Sequence, residues 1–300
     1  VSGLSYRHQR VQRLRRLLGR RSARKDEGRF VIEGANLLEE ALVAGASIEA
    51  VYVDGGWPEG LPHADGPEHP GSRNRLSGLL ERCVELAVPV FELEPGVLAR
   101  VAGTVTPQPV IAVVEMPLFE LTELNARSPQ LVVVCVDVRD PGNAGTVARS
   151  AWAAGADAVV CCEGTVDLWN PKAVRSSAGA VFHVPIVAAG AATDVLAEIG
   201  EWGLKRLGTV SEGGVDYAAE DLTSRVAFVL GNEAAGLPVE ELRTQLDGLV
   251  SIPMARGAES LNVGMAAAVI CFEVARQRRH GAPASSGHLV ALRLGQGAAE

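Results

Sequence analysis

Polar side chains set in glycine-rich surroundings concentrate in three short stretches of the chain. RDPGNAGTVARS (139–150) carries Gly142, Asn143, Gly145 and Arg149; GNEAAGLP (231–238) carries Glu233; PMARGAESLNVG (253–264) carries Ser260 and Asn262. Arg149 lies about one and a half turns into an Ala-rich helical pattern, among Val147, Ala148 and Ala151. A guanidinium in such surroundings needs an anion or a carboxylate partner. Glu233 sits five residues before Pro238, too early to cap the helix that Pro238 opens, and suits a ligand or Arg149. Simpler roles stand beside these. Asn143 can cap its helix while Gly145 permits close packing, and Glu259 or Ser260 can satisfy first-turn amides. The first stretch departs from G-x-G-x-x-G, although Glu163 about 20 residues on leaves a dinucleotide site as an alternative.

Each stretch follows an apolar run. LVVVCVDV (131–138), ADAVVCC (156–162), VFHVPIV (181–187), LKRLGTV (204–210), VAFVL (226–230) and GLVSI (248–252) read as strands, with helical patterns between most of them. Asn170-Pro171 opens one such helix as N-cap and first residue. Near-continuous apolar strands alternating with helices predict a parallel sheet covered on both faces. Such sheets bind ligands beyond the carboxyl ends of their strands, where the three stretches fall. The last helical pattern, LNVGMAAAVICFEVARQRR, is apolar nearly all round. That places it in the middle of a large domain or against a second copy, with Gly264, Ala266, Ala267 and Ala268 allowing close approach.

The first third reads as a smaller α/β unit. A helix over 7–20 (RHQRVQRLRRLLGR) precedes a strand at 30–34, a helix at 35–45 and a strand at 48–54. Residues 55–72 are rich in Gly and Pro and read as loop, before a helix at 75–87 and a strand at PVFELE. The expected organisation is a basic arm and small domain over 1–108, a larger domain over 109–280 and a loose tail over 281–300. Residues 115–130 read as a surface connection.

Charge is unevenly divided. The net charge of the 300 residues is −8, yet residues 1–29 hold ten Lys/Arg against two acids, leaving −16 on the remainder. A basic arm on an acidic body is either a solvated helix face or a surface for phosphate. The arm lacks an apolar segment, so it does not read as a secretory signal. No run of about 18 apolar residues is present, which argues against a membrane span. The five cysteines show no CxxC pairing and fit a reducing cytoplasm; no metal site is expected.

Taken together, the three stretches resemble the three motifs of the SpoU-type (TrmH-like) RNA ribose 2′-O-methyltransferases of the SPOUT superfamily. NAGTVARS is similar to the first motif, FVLGNEAAGL to the second and IPMARGAESLNVGMAAAV to the third, in the family's order. PKAVRSSAGAVFHVP resembles the stretch between the first two. Residues 28–54 resemble the family's small L30e-like substrate-binding domain. The pattern departs at Ala258, where Met is usual, and at Gly264, where Ser is usual.

The resemblance implies an α/β fold: a parallel-sheet, trefoil-knotted SPOUT catalytic domain preceded by the small L30e-like domain. It implies S-adenosylmethionine as cofactor, RNA as substrate and a homodimer that buries the last helix. A separate N-terminal domain favours ribosomal over transfer RNA. Implied catalytic residues are Asn143, Arg149, Glu233, Ser260 and Asn262. Arg149 is either a base or a phosphate anchor, and an arginine pKa above about 12 favours the anchor. Glu233 is expected to orient Arg149. Thr209, Leu230, Gly231, Asn232, Ile252, Met254 and Leu261 are expected around the cofactor. Arg7, Arg10, Arg13, Arg20, Arg21, Arg24, Lys25 and Arg29 are expected to meet RNA. A non-catalytic RNA-binding module and an NAD-dependent oxidoreductase remain as alternatives; a cofactor-binding titration separates the first from a methyltransferase, and fluorescence quenching with NADH tests the second.

Overall fold

The computed structural model describes residues 3–55, 70–102, 107–255 and 259–281. Two helices open it, α1 (Gln9–Gly19) and α2 (Arg21–Glu27). They are followed by β1 (Arg29–Glu33), α3 (Ala35–Val43), β2 (Ile48–Asp54), α4 (Pro70–Glu85), β3 (Val90–Leu93), α5 (Val97–Ala102) and β4 (Val110–Glu115). The four strands form one sheet in the order β1-β4-β2-β3. β4 runs antiparallel to both neighbours, and β2 and β3 are parallel.

This sheet corrects two expectations. VIAVVE lacks the alternation of a half-exposed strand, yet it forms β4, buried on both faces between β1 and β2. The first sheet therefore includes residues beyond 108, up to Glu115. Nor are residues 9–27 a free arm. Val11, Leu14 and Leu17 on α1 are fully buried and pack with Val31, Tyr52, Leu93 and Leu98. The helix expected at 75–87 starts earlier, at Pro70, inside the stretch read as loop. Residues 56–69 of that loop, and 282–300 of the expected tail, lie outside the described residues.

After the short helix α6 (Leu121–Ala126) comes the second sheet. Its elements in chain order are β5 (Leu131–Cys135), α7 (Pro141–Ala154), β6 (Ala158–Cys161), α8 (Pro171–Ser176), a 3-10 turn (Ala180–Phe182) and β7 (Ile186–Ala188). There follow α9 (Ala192–Glu201), β8 (Lys205–Val210), β9 (Val215–Asp216), β10 (Val226–Leu230), α10 (Val239–Leu242), β11 (Gly248–Ser251) and α11 (Val263–Gly281). All seven strands are parallel, in the order β7-β6-β5-β10-β8-β11-β9. β5, β6 and β10 are buried at every position, which accounts for their unbroken apolar runs. The run VFHVPIV divides, its first half forming the 3-10 turn and only its end a strand.

Asn170 caps α8 through its side chain, as expected. On α7 the cap is Asp140, whose carboxylate accepts from the Asn143 amide, with Pro141 as the first helical residue. Gly145 is where α7 meets α8: a Cβ there would lie 2.2 Å from the Ala173 carbonyl oxygen. The apolar core is continuous between the two sheets, joining Phe30 and Ile32 to Trp169, Val181 and Val133. All five cysteines are buried free thiols, and burial pushes Cys162 and Cys271 up to about 12.

Candidate active site

The carboxyl ends of β8, β10 and β11 open into a cleft of about 640 Å³, within the roughly 300–1,000 Å³ usual for small-ligand sites. Asn143, Glu233, Ser260 and Asn262 line it, as do Thr209, Gly231, Asn232, Ile252, Met254 and Leu261. Three loops distant in sequence thus meet at one place because parallel strands end on the same edge.

A hydrogen-bonded network fixes the loops to one another. The Glu233 carboxylate accepts the backbone N–H groups of Arg139 and Asp140, each at 3.0 Å, and the Asn143 side-chain amide at 3.0 Å. Asn143 Oδ1 in turn accepts from Asn262 Nδ2 at 2.7 Å. Asn262 Oδ1 accepts the first-turn amides of α11, from Gly264 at 2.9 Å and Met265 at 3.3 Å. Asn262 is therefore the side chain that caps α11, the role anticipated for Glu259 or Ser260. Partial burial pushes the Glu233 carboxyl up, but the bonds from Arg139, Asn143 and Asp140 outweigh it and hold it below the usual carboxylate range. Asp140 is likewise held down, by the Lys172 ammonium and the Asn143 amide.

Two expected members stand apart. Arg149 is exposed, does not line the cleft and makes no hydrogen bond or ion pair among the described residues. The expected pairing with Glu233 is therefore absent within one chain; Glu233 is occupied by the amides just named. The cause is helical geometry. Six residues separate Asn143 from Arg149, which puts them roughly 120° apart around α7. Leu230 is fully buried in β10 and belongs to the core beneath the cleft.

Asn232 braces its own loop and ties it to the loop after β5. Its Oδ1 accepts from Ala234 and Ala235, its Nδ2 donates to the Asp137 carbonyl oxygen, and its backbone exchanges two bonds with Gly236. A Cβ on Gly231 would lie 2.4 Å from the backbone of Gly236 and Leu237, so only glycine allows that hairpin. Sequence reasoning missed Ser211 and Glu212, which follow β8 and reach the cleft, and Val263, Ala266 and Ile270 on the first turns of α11. The signal for the first pair was adjacency to Thr209. The signal for the helix residues was their spacing of three and four.

The basic residues divide. Arg7, Arg10, Arg20, Arg21 and Lys25 are exposed, with Arg10 over the Phe91 ring at 4.4 Å. Arg13 and Arg29 are spent on Glu49, and Arg13 also on Glu27 at 2.6 Å. Arg24, expected to reach RNA, is only 3% exposed and pairs with Asp167. Among the described residues no helix is long and apolar enough to cross a membrane.

An all-parallel sheet with a polar cleft over its carboxyl edge, built from these three loops, defines a ligand-binding α/β protein. The chain belongs to the SpoU rRNA methylase family. That family's sequence model matches residues 130–272, and a model of the MRM3-like substrate binding domain matches residues 8–112. The chain is 32% identical to a 23S rRNA (guanosine(2553)-2′-O)-methyltransferase, RlmP, of Bacillus subtilis, over 82% of this chain and 88% of that one. It is 32% identical to a 23S rRNA (uridine(2479)-2′-O)-methyltransferase of Streptomyces viridochromogenes, over 94% and 95%. The solved structure of the SpoU methyltransferase AviRb from Streptomyces viridochromogenes in complex with AdoMet superposes with a TM-score of 0.74 at 31% identity, covering 91% of this chain and all of that one.

Proposed function

We propose that this protein transfers a methyl group from S-adenosylmethionine to a ribose 2′-hydroxyl of large-subunit ribosomal RNA. The observation that carries this reading is the Glu233–Asn143–Asn262 network, which joins all three motif loops around one cleft. The cleft suits the cofactor. Leu237, Ile252, Leu261 and Ile270 offer an apolar wall for adenine, while Ser211, Glu212 and Glu233 offer polar and anionic groups for the charged end. The tight hairpin that needs Gly231 brings backbone to the cleft's rim. When bound, S-adenosylmethionine supplies an electrophilic methyl group.

The chain's own residues must orient a ribose and help its proton leave. Asn143, in the first turn of α7, and Asn262, which caps α11, hold each other, so they shape the ribose side of the cleft. The Ser260 hydroxyl is exposed there. Arg149 acts as an anion anchor, holding the RNA phosphate beside the hydroxyl. It reaches the cleft from a second copy of the chain. Support comes from its exposure on α7 and from the apolar groups left bare nearby in the fold: Met265 and Phe272, seven residues apart on α11, and Trp152 on α7. A homodimer would cover them.

The chain divides after Glu115 into an RNA-docking unit and a catalytic unit. The order in which β10 is inserted between β5 and β8, with α11 packed back on α7, supports the knotted topology of the family. A cytoplasmic setting agrees with the five free thiols. The test is direct. Purified protein, labelled S-adenosylmethionine and unmodified 23S ribosomal RNA should yield one 2′-O-methylated nucleotide. No transfer to that RNA, with transfer to tRNA instead, would move the substrate; none to either would end the reading.

A further inference from the structure

The sequence places Arg24 among cations free to meet phosphate, and the structure buries it. Its guanidinium makes four contacts of two kinds. Nε and Nη2 reach one Asp167 oxygen at 2.8 and 2.7 Å, while Nη1 donates to the carbonyl oxygens of Leu17 at 2.6 Å and Leu18 at 3.2 Å. The carbonyls belong to the last turn of α1, where orphan acceptors need donors. Asp167 lies beyond the carboxyl end of β6, on the same edge of the second sheet as the cleft. One side chain thus ties α1 and α2 to the mouth of the catalytic sheet.

The tie continues inward. The other Asp167 oxygen accepts the Trp169 amide at 3.0 Å, and the Trp169 ring meets Phe30 of β1 at 4.7 Å. Asn170 then caps α8, whose Lys172 ammonium bonds Asp140 at 2.8 Å. Asp140 caps α7 through the amide of Asn143, which stands in the cleft. Unbroken polar contacts therefore run from the basic helices to the site. Meanwhile Arg20, Arg21 and Lys25, on either side of Arg24, point to solvent.

A buried ion pair is weak evidence for stability, because desolvation offsets much of its attraction. Its directional geometry is the better account of this one. We propose that Arg24 is a positioning residue: through Asp167 it holds the RNA-docking face of α2 at a set distance from the cleft, and so selects which nucleotide of the docked RNA is methylated. This rests on the proposed RNA methylation.

Arg24→Lys keeps the charge but cannot serve the carboxylate and both carbonyls at once. Asp167→Asn keeps the Trp169 cap and removes the charge, so it stands in if Arg24→Lys fails to fold. Each is assayed on unmodified 23S ribosomal RNA transcript. The expected result is a kcat lowered by about tenfold to a hundredfold, KM and cofactor Kd near wild type, an unchanged salt slope of RNA binding, and methylation spread to neighbouring nucleotides. Amide exchange should rise in α2 and in residues 162–170. Wild-type kcat at a single position, or exchange unchanged in both variants, would overturn the proposal. So would loss of cofactor binding in step with activity, which marks a merely structural role. If the wild-type protein methylates no RNA, the proposed reaction fails, and the exchange measurement still decides whether Arg24 holds the two units together.

Discussion

Arg149 and Glu233 occupy opposite positions in the site's energetics. Arg149 has no partner to lose among the described residues, so Arg149→Ala should change the unfolding free energy by no more than about 0.5 kcal/mol, the range of a surface change. Methyl transfer should nonetheless fall by about a hundredfold to a thousandfold, the scale of one preorganised charge interaction. Mixing this variant with Asn143→Ala should restore part of the activity if the arginine works across the dimer; no restoration would return it to its own chain or remove it. Glu233 is embedded in the loop network, and its carboxyl is held below its ordinary value near 4.5. A depressed folded-state value means that the ionised form contributes stability above the ordinary value. The contribution is lost as pH falls through the lower one. Between about pH 5 and pH 3, Glu233→Gln should therefore lose less thermal stability than wild type, as calorimetry at each pH would show.

At the level of elements, the close approach of α7 and α8 depends on Gly145. Gly145→Ala forces a methyl against the Ala173 carbonyl and the Ser176 hydroxyl, and should cost about 1–3 kcal/mol in denaturant unfolding. Because α7 carries both Asn143 and Arg149, activity should fall with it. The face of α2 answers a different measurement. Replacing Arg20, Arg21 and Lys25 by alanine should flatten the salt dependence of RNA binding by about one unit of slope for each phosphate no longer neutralised. The same change at Arg13 should act through folding, since that residue is tied to Glu27 and Glu49. Truncating residues 1–27 should lower stability as well as RNA binding, because it removes Val11, Leu14 and Leu17 from a core.

For the whole molecule, Trp152 on α7 and Met265 and Phe272 on α11 are exposed apolar groups that the proposed homodimer would cover. Met265→Glu with Phe272→Glu should give a monomer in sedimentation, with RNA methylation lost and cofactor Kd near wild type. A variant that stays dimeric, or a fully active monomer, would remove the second copy from the mechanism. The two sheets share one apolar core and are further joined by Arg24–Asp167, Arg175–Glu33 and His183–Glu40. They should therefore unfold together, and separate transitions in a calorimetric scan would argue otherwise.

Local pattern determined a good deal of this protein. Apolar runs marked six of the seven strands of the second sheet, most plainly β5, β6 and β10, because a strand buried on both faces has no polar positions. Glycine and polar residues just past those runs marked the cleft, because parallel strands bring such loops to one edge. Two features escaped the local reading for reasons also visible in the chain: Asn143 and Arg149 differ by six residues, so they point about 120° apart around α7 of one chain, and VIAVVE is as apolar as any central strand. Other features were decided only by folding. Which arginines meet solvent and which are consumed by Glu49 or Asp167 depends on segments more than a hundred residues apart in the case of Arg24. The pairing of Glu233 with backbone amides depends on two loops whose meeting no local pattern encodes. Side-chain type and period are local properties, whereas burial and partner choice arise from the packing of distant segments.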